Sequence, residues 1–111
     1  MLSATRESAG LRHNHEGEAM AIGIRLKFEG LDAATFDKAN ALVDAPNNPP
    51  DGCIFHSSGP IEGGYGVIDF WESREHFDRF AQEKIGPIMG QLGIEGRPDV
   101  KEFPVHEYFK P

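Results

Sequence analysis

The chain predicts a ferredoxin-like βαββαβ sandwich of the α+β class, with two helices over one face of a four-stranded antiparallel sheet. Three observations point there. Between Ile22 and Phe109 the apolar pattern switches in the order strand, helix, strand, strand, helix, strand. The two inner strands are joined by Gly59-Pro60-Ile61-Glu62-Gly63-Gly64, rich in residues that tolerate turn dihedrals. The length of 111 residues, 39% hydrophobic with Phe at eight positions, supports one core and leaves little room for a second.

Residues 1–20 are rich in Ser, Arg, Glu, Gly and His with almost no apolar periodicity, and are read as a flexible arm ahead of a domain over 21–111. His13-Asn14-His15-Glu16 contains metal-ligating residue types, but no second anchoring cluster accompanies it, so a solvated tail is expected and no metal is assigned. In the first strand Ile22, Ile24, Leu26 and Phe28 alternate with Gly23, Arg25 and Lys27. Gly30 ends it, and Asp32 suits a helix N-cap with Leu31 and Phe36 at staple spacing. Phe36, Ala39 and Val43 form the inner stripe of that helix, with Asp37, Lys38 and Asn40 facing away.

Residues 46–52, with two Asn and three Pro, must be a loop. Cys53 to Ser58 is the second strand and Tyr65 to Trp71 the third. Ser73 caps a second helix with Phe77, Phe80, Ala81 and Ile85 inward. Pro87 is expected to end that helix at Gly86 and to start a short turn running to Gly93. Val100 to Phe109 closes the fold, with Pro104 implying an edge position or a bulge.

Eleven Lys plus Arg against 18 Asp plus Glu give a net charge of -7, which makes nucleic acid and anionic membrane poor partners. The apolar runs are too short to cross a bilayer or to form a signal peptide, so a cytoplasmic protein is expected. A lone Cys53 rules out an intramolecular disulfide and reads as a small buried hydrophobe rather than a nucleophile. Gly63-Gly64-Tyr65-Gly66 lacks the Lys and following helix of a phosphate loop and is read as hairpin chemistry.

Strand alternation divides the sheet in two. If Ser58 pairs with Tyr65, one face collects Arg25, Lys27, Ile54, His56, Ser58, Tyr65, Val67, Asp69, Trp71, Glu102, His106 and Tyr108. The other collects Ile22, Ile24, Leu26, Phe28, Cys53, Phe55, Ile68, Phe70, Phe103 and Val105, and is expected to pack on the helices. Polar-tipped aromatics are costly to leave bare, so a second copy of the chain is expected to cover the open face. The two sheets would then enclose cavities lined by His56, Asp69 and Trp71.

The run Gly63 to Ser73, reading Gly-Gly-Tyr-Gly-Val-Ile-Asp-Phe-Trp-Glu-Ser and followed by Phe77 and Phe80, resembles the third strand and second helix of the dimeric α/β barrel superfamily. That group includes antibiotic biosynthesis monooxygenase-like domains and many uncharacterised bacterial relatives. The resemblance covers Ala21 to Phe109, including Phe55-His56 and Pro104-Val105-His106. It implies a homodimer and a small-molecule ligand. Members span cofactor-independent oxygenases of polyaromatic substrates, haem-degrading enzymes, cyclases and isomerases, and fold alone does not choose among them. Haem degraders carry an iron-ligating His well into the second helix; the matching stretch Ile85 to Leu92 has none, and His76 lies too near the helix start. No cofactor is therefore assigned.

His56 is the leading candidate for catalysis, because imidazole exchanges a proton with a phenol or enol near neutral pH. Asp69 would hold its ring in one tautomer, and Trp71 and Tyr65 would stack on a planar substrate. Arg25 and His106 complete the candidate substrate-binding set, against salt-bridge and solvated-rim readings respectively. Two functions stay open at this point. One is cofactor-free oxidation or proton transfer on a small aromatic or polyketide-like compound. The other is a non-catalytic dimeric module in which His56 and Asp69 form a structural pair. An enclosed cavity beside His56 would distinguish the first from the second.

Overall fold

The computed structural model describes residues 11–13, 20–109 and 111; the bulk of the predicted arm, including Asn14, His15 and Glu16, lies outside these. Among the described residues the elements run β1 (Leu11–His13), β2 (Ile22–Glu29), α1 (Ala33–Val43), β3 (Cys53–Ile61), β4 (Gly64–Trp71), α2 (Arg74–Phe80), a π-turn (Ala81–Ile85), α3 (Gly86–Gln91), β5 (Asp99–Pro104) and β6 (Glu107–Phe109). The main sheet has the order β3-β4-β2-β5 with antiparallel neighbours throughout. This is the predicted α+β, ferredoxin-like sandwich.

Local chemistry sets the element ends. The Asp32 carboxylate accepts the Thr35 N–H at 2.8 Å, which caps α1 and holds its pKa below the ordinary carboxylate value. Asp44 closes the same helix in the left-handed conformation at φ 54°, and its N–H donates to the Asn40 carbonyl. Glu62 and Gly63 make the hairpin turn, with Gly63 at φ 79°, so both strands run further than expected and Tyr65 faces Pro60 rather than Ser58. Pro60 is tolerated because β3 is an edge strand.

Two elements differ from expectation beside a proline, although Pro104 itself lies on an edge strand as expected. Pro87 does not end the second helix: the backbone widens into the π-turn, where the Gly86 N–H reaches five residues back to the Ala81 carbonyl, and α3 continues with Pro87 in its first turn. A proline in an ordinary helix would lose its i−4 bond and press its ring on that carbonyl; the π-turn absorbs both penalties. The last strand splits after Pro104. Val105 donates its N–H to Ala21 at 2.8 Å, and β6 leaves the sheet to pair with β1, contributed by residues 11–13 of the N-terminal arm.

The larger correction concerns the faces. Ile24 pairs with Asp69 and Leu26 with Val67, so the apolar side of β2 shares a face with Tyr65, Val67, Asp69 and Trp71. That face, not the one carrying Ile68 and Phe70, lies under the helices. Ile22, Ile24, Leu26, Val67 and Trp71 form the core with Phe36 of α1 and Phe77 of α2. A bulge between Cys53 and Phe55 adds one residue to β3, so Cys53 joins His56 on the helix side while Phe55 turns outward.

The open face therefore carries Phe55, Ile68 and Phe103, 57%, 51% and 55% exposed, with Arg25 and Lys27 among them. Phe70 and Phe103 meet there edge to face with centroids 6.3 Å apart.

Candidate functional site

Between the sheet and its helices lies a cavity of about 360 Å³, within the range of ~300–1,000 Å³ typical of small-molecule sites. It sits within the single chain, which replaces the expectation of a cavity closed between two sheets. Leu26, Phe36, Val43, Phe80, Ile88 and Met89 make most of its wall apolar. Polar residues border it from two sides: the buried Asp69 with the exposed His56 and Ser58 from β3 and β4, and the exposed Asn40 from α1.

His56 and Asp69 face each other across the β3–β4 ladder. The His56 Nδ1 lies 2.6 Å from Asp69 Oδ1, and the Trp71 indole N–H donates to Asp69 Oδ2 at 3.3 Å. Both carboxylate oxygens are thus engaged on a side chain that is only 5% exposed. An ionised carboxylate only accepts, so Nδ1 of neutral His56 carries the proton and Nε2 keeps its lone pair. Among the described residues Nε2 has no partner.

The hydrogen bond to Asp69 raises the His56 pKa above its ordinary 6.5; partial burial pulls the other way, and the carboxylate charge adds to the rise. Cys53 lines the same wall, and burial, helped by the Asp69 charge, pushes its thiol up to about 11. A thiol held so far from ionisation is a poor nucleophile, in keeping with the sequence reading.

The predicted site residues divide into two groups. His56, Asp69 and Trp71 come together on the cavity wall. Trp71 is 1% exposed, packed on Phe77 and Phe80, so it anchors Asp69 rather than offering a free ring. Tyr65 shares their face but stacks on Phe36 at 4.5 Å and belongs to the packing beneath the cavity. Arg25 does not reach the site: it projects from the open face and pairs with Asp99. His106 is exposed between β5 and β6 and does not line the cavity. Glu102 on β5 pairs with Arg74 at the start of α2.

Asn40 and Ser58 were not among the predicted site residues. Ser58 was accessible to parity, two positions beyond His56 on one strand. Asn40 was expected to face away from the core and is exposed, yet, one turn after Phe36 at the margin of the helical stripe, it also borders the cavity. Among the described residues no group of three or more metal-ligating side chains occurs, and no helix is long and apolar enough to cross a membrane.

No family model and no curated protein matches the chain. Solved structures do. A candidate antibiotic biosynthesis monooxygenase of Caulobacter crescentus superposes with TM-score 0.62 at 18% identity, over 78% of this chain and 91% of that one. SnoaB, a cofactor-independent oxygenase of Streptomyces nogalater, superposes in a mutant form with TM-score 0.56 at 21% identity, over 77% and 92%. A dimeric ferredoxin-like protein of unknown function from Thermobifida fusca gives 0.57 at 12% identity, over 85% and 99%. At these identities the likeness speaks for fold.

Proposed function

Starting from the fold of the dimeric α/β barrel, monooxygenase-like proteins, we propose that this chain binds a small aromatic or polyketide-like compound in the cavity and acts on it by cofactor-independent oxygenation or proton transfer. His56 is the acid–base and Asp69 orients it. The observation that carries this reading is a hydrogen-bonded His–Asp pair in the wall of a largely apolar cavity. Low polarity favours entry of a flat, uncharged ring system, and the oriented Nε2 takes the proton of its phenol or enol. The imidazolium so formed is stabilised by the Asp69 carboxylate.

The resulting anion is electron-rich. In oxygenation its ring carbon forms a C–O bond to dioxygen, and the proton held by His56 passes to the distal oxygen. Loss of water from that hydroperoxide leaves a carbonyl, so a CH2 plus O2 becomes C=O plus H2O. In proton transfer the proton simply returns at another atom.

The protein works as a homodimer through its open sheet face. Phe55, Ile68 and Phe103 form an apolar surface of the kind that soluble monomers seldom leave uncovered, and a second copy supplies a matching one. The non-catalytic dimeric module remains the competing function. Oxygen uptake with anthrone, whose ring CH2 enolises to a phenol, separates them. Parent turnover that falls by about 10²–10⁴ in His56→Gln supports the acid–base role. Equal rates in parent and variant, or no parent turnover, favour the module.

A further inference from the structure

We propose that Ser58 and Asn40 set the specificity of this cavity, Ser58 for a second oxygen beside the one His56 handles and Asn40 for an oxygen on the opposite edge of the ligand. The inference rests on the cavity and His56 reading above and goes on to specify the pattern of oxygens a ligand must carry.

The polar groups of the wall can be divided into committed and uncommitted. Asp69 spends its two oxygens on His56 and Trp71, and Trp71 spends its indole N–H on Asp69. What is left is His56 Nε2, the Ser58 hydroxyl and the Asn40 amide. Among the described residues neither the Ser58 nor the Asn40 side chain makes a hydrogen bond; the bonded serine of that pair on β3 is Ser57, whose hydroxyl donates to the Ile68 carbonyl on the other face.

Their positions give the ligand a shape. His56 and Ser58 are two residues apart on one strand and so point the same way, separated by about 6.5 Å, twice the rise per residue. Two neighbouring ring oxygens fit between such side chains, one bonded to each. Asn40 stands on the helical wall that faces them and meets the far edge of a ring system laid across the cavity. Apart from the Cys53 thiol and the Asp69 carboxylate, already bonded to His56 and Trp71, the other side chains lining the cavity are apolar, so an unmatched oxygen elsewhere would lose its water without compensation.

Calorimetric titration with three probes tests this: 2-naphthol, 2,3-dihydroxynaphthalene and 2,6-dihydroxynaphthalene. Ser58→Ala is expected to weaken the 2,3-diol by about threefold to tenfold and to leave the other two within about twofold. Asn40→Leu, which keeps the side-chain size, is expected to do the same to the 2,6-diol alone. Variants that bind all three probes as the parent does, or that weaken all three equally, overturn the assignment. Oxygen uptake with anthrone by His56→Gln isolates the underlying reading: if it turns over like the parent while the Ser58 and Asn40 binding pattern holds, the acid–base role fails and the specificity assignment stands. If the parent binds none of the probes, both fail.

Discussion

Asp69→Asn should destabilise the protein at low pH much more than at high pH. When His56 is protonated its bond to Asp69 is charge-assisted, a class worth about 1.5–3 kcal/mol. The His56 side chain is 43% exposed, and solvent screening trims this to about 1–2 kcal/mol. With His56 neutral, what remains is an ordinary hydrogen bond, about 0.5–1.5 kcal/mol, which Asn largely keeps: its carbonyl accepts the Trp71 N–H and its NH2 donates to Nδ1 of the other His56 tautomer. The sign follows from the raised folded-state pKa of His56. A group whose pKa is higher in the folded state contributes fully below its unfolded value of 6.5, and the contribution is lost as pH rises through the folded value. Thermal unfolding followed by circular dichroism at about pH 5.5 and about pH 8.5 reads the difference, about 1 kcal/mol, or ~4–8 °C for a domain near this size. The catalytic counterpart is a rate profile whose rising limb, set by deprotonation of His56, moves to lower pH in Asp69→Asn. A penalty equal at both pH values, or larger at the higher one, would refute the charge-assisted pair.

Two further outcomes follow from the packing. Ile68→Lys combined with Phe55→Lys places charge on the open face and should convert a dimer to a folded monomer in sedimentation at micromolar concentration; an unchanged dimer would place the interface elsewhere. Gly52→Ala should cost about 1–3 kcal/mol in urea denaturation, because the residue sits at φ 82° and an added methyl would lie 2.3 Å from the His76 ring; a midpoint equal to the parent's would mean that the loop and ring move aside freely.

What the sequence by itself determined is the part governed by local chemistry. Alternation marked β2, Asp32 and Ser73 announced their helices, and the Gly-rich run announced the hairpin. That His56, Asp69 and Trp71 share a face was also legible, since it follows from one hairpin whose pairing parity survived a two-residue error in its register. Which face the helices cover was not legible. It depends on how β2 registers against β4, a pairing between strands with a helix and another strand between them, and a shift of one residue there exchanges every side chain. The bulge at Ile54 hid the answer further, because it puts Cys53 and His56 on one side despite their opposite parity. Only the tertiary structure therefore decided that the ring-bearing wall lies under the helices together with the apolar side of β2, that Phe55, Ile68 and Phe103 are left on the open face, and that Arg25 stands among them. Within a strand the direction of a side chain is settled by covalent geometry, whereas the surface it meets is settled by contacts between segments far apart in the chain.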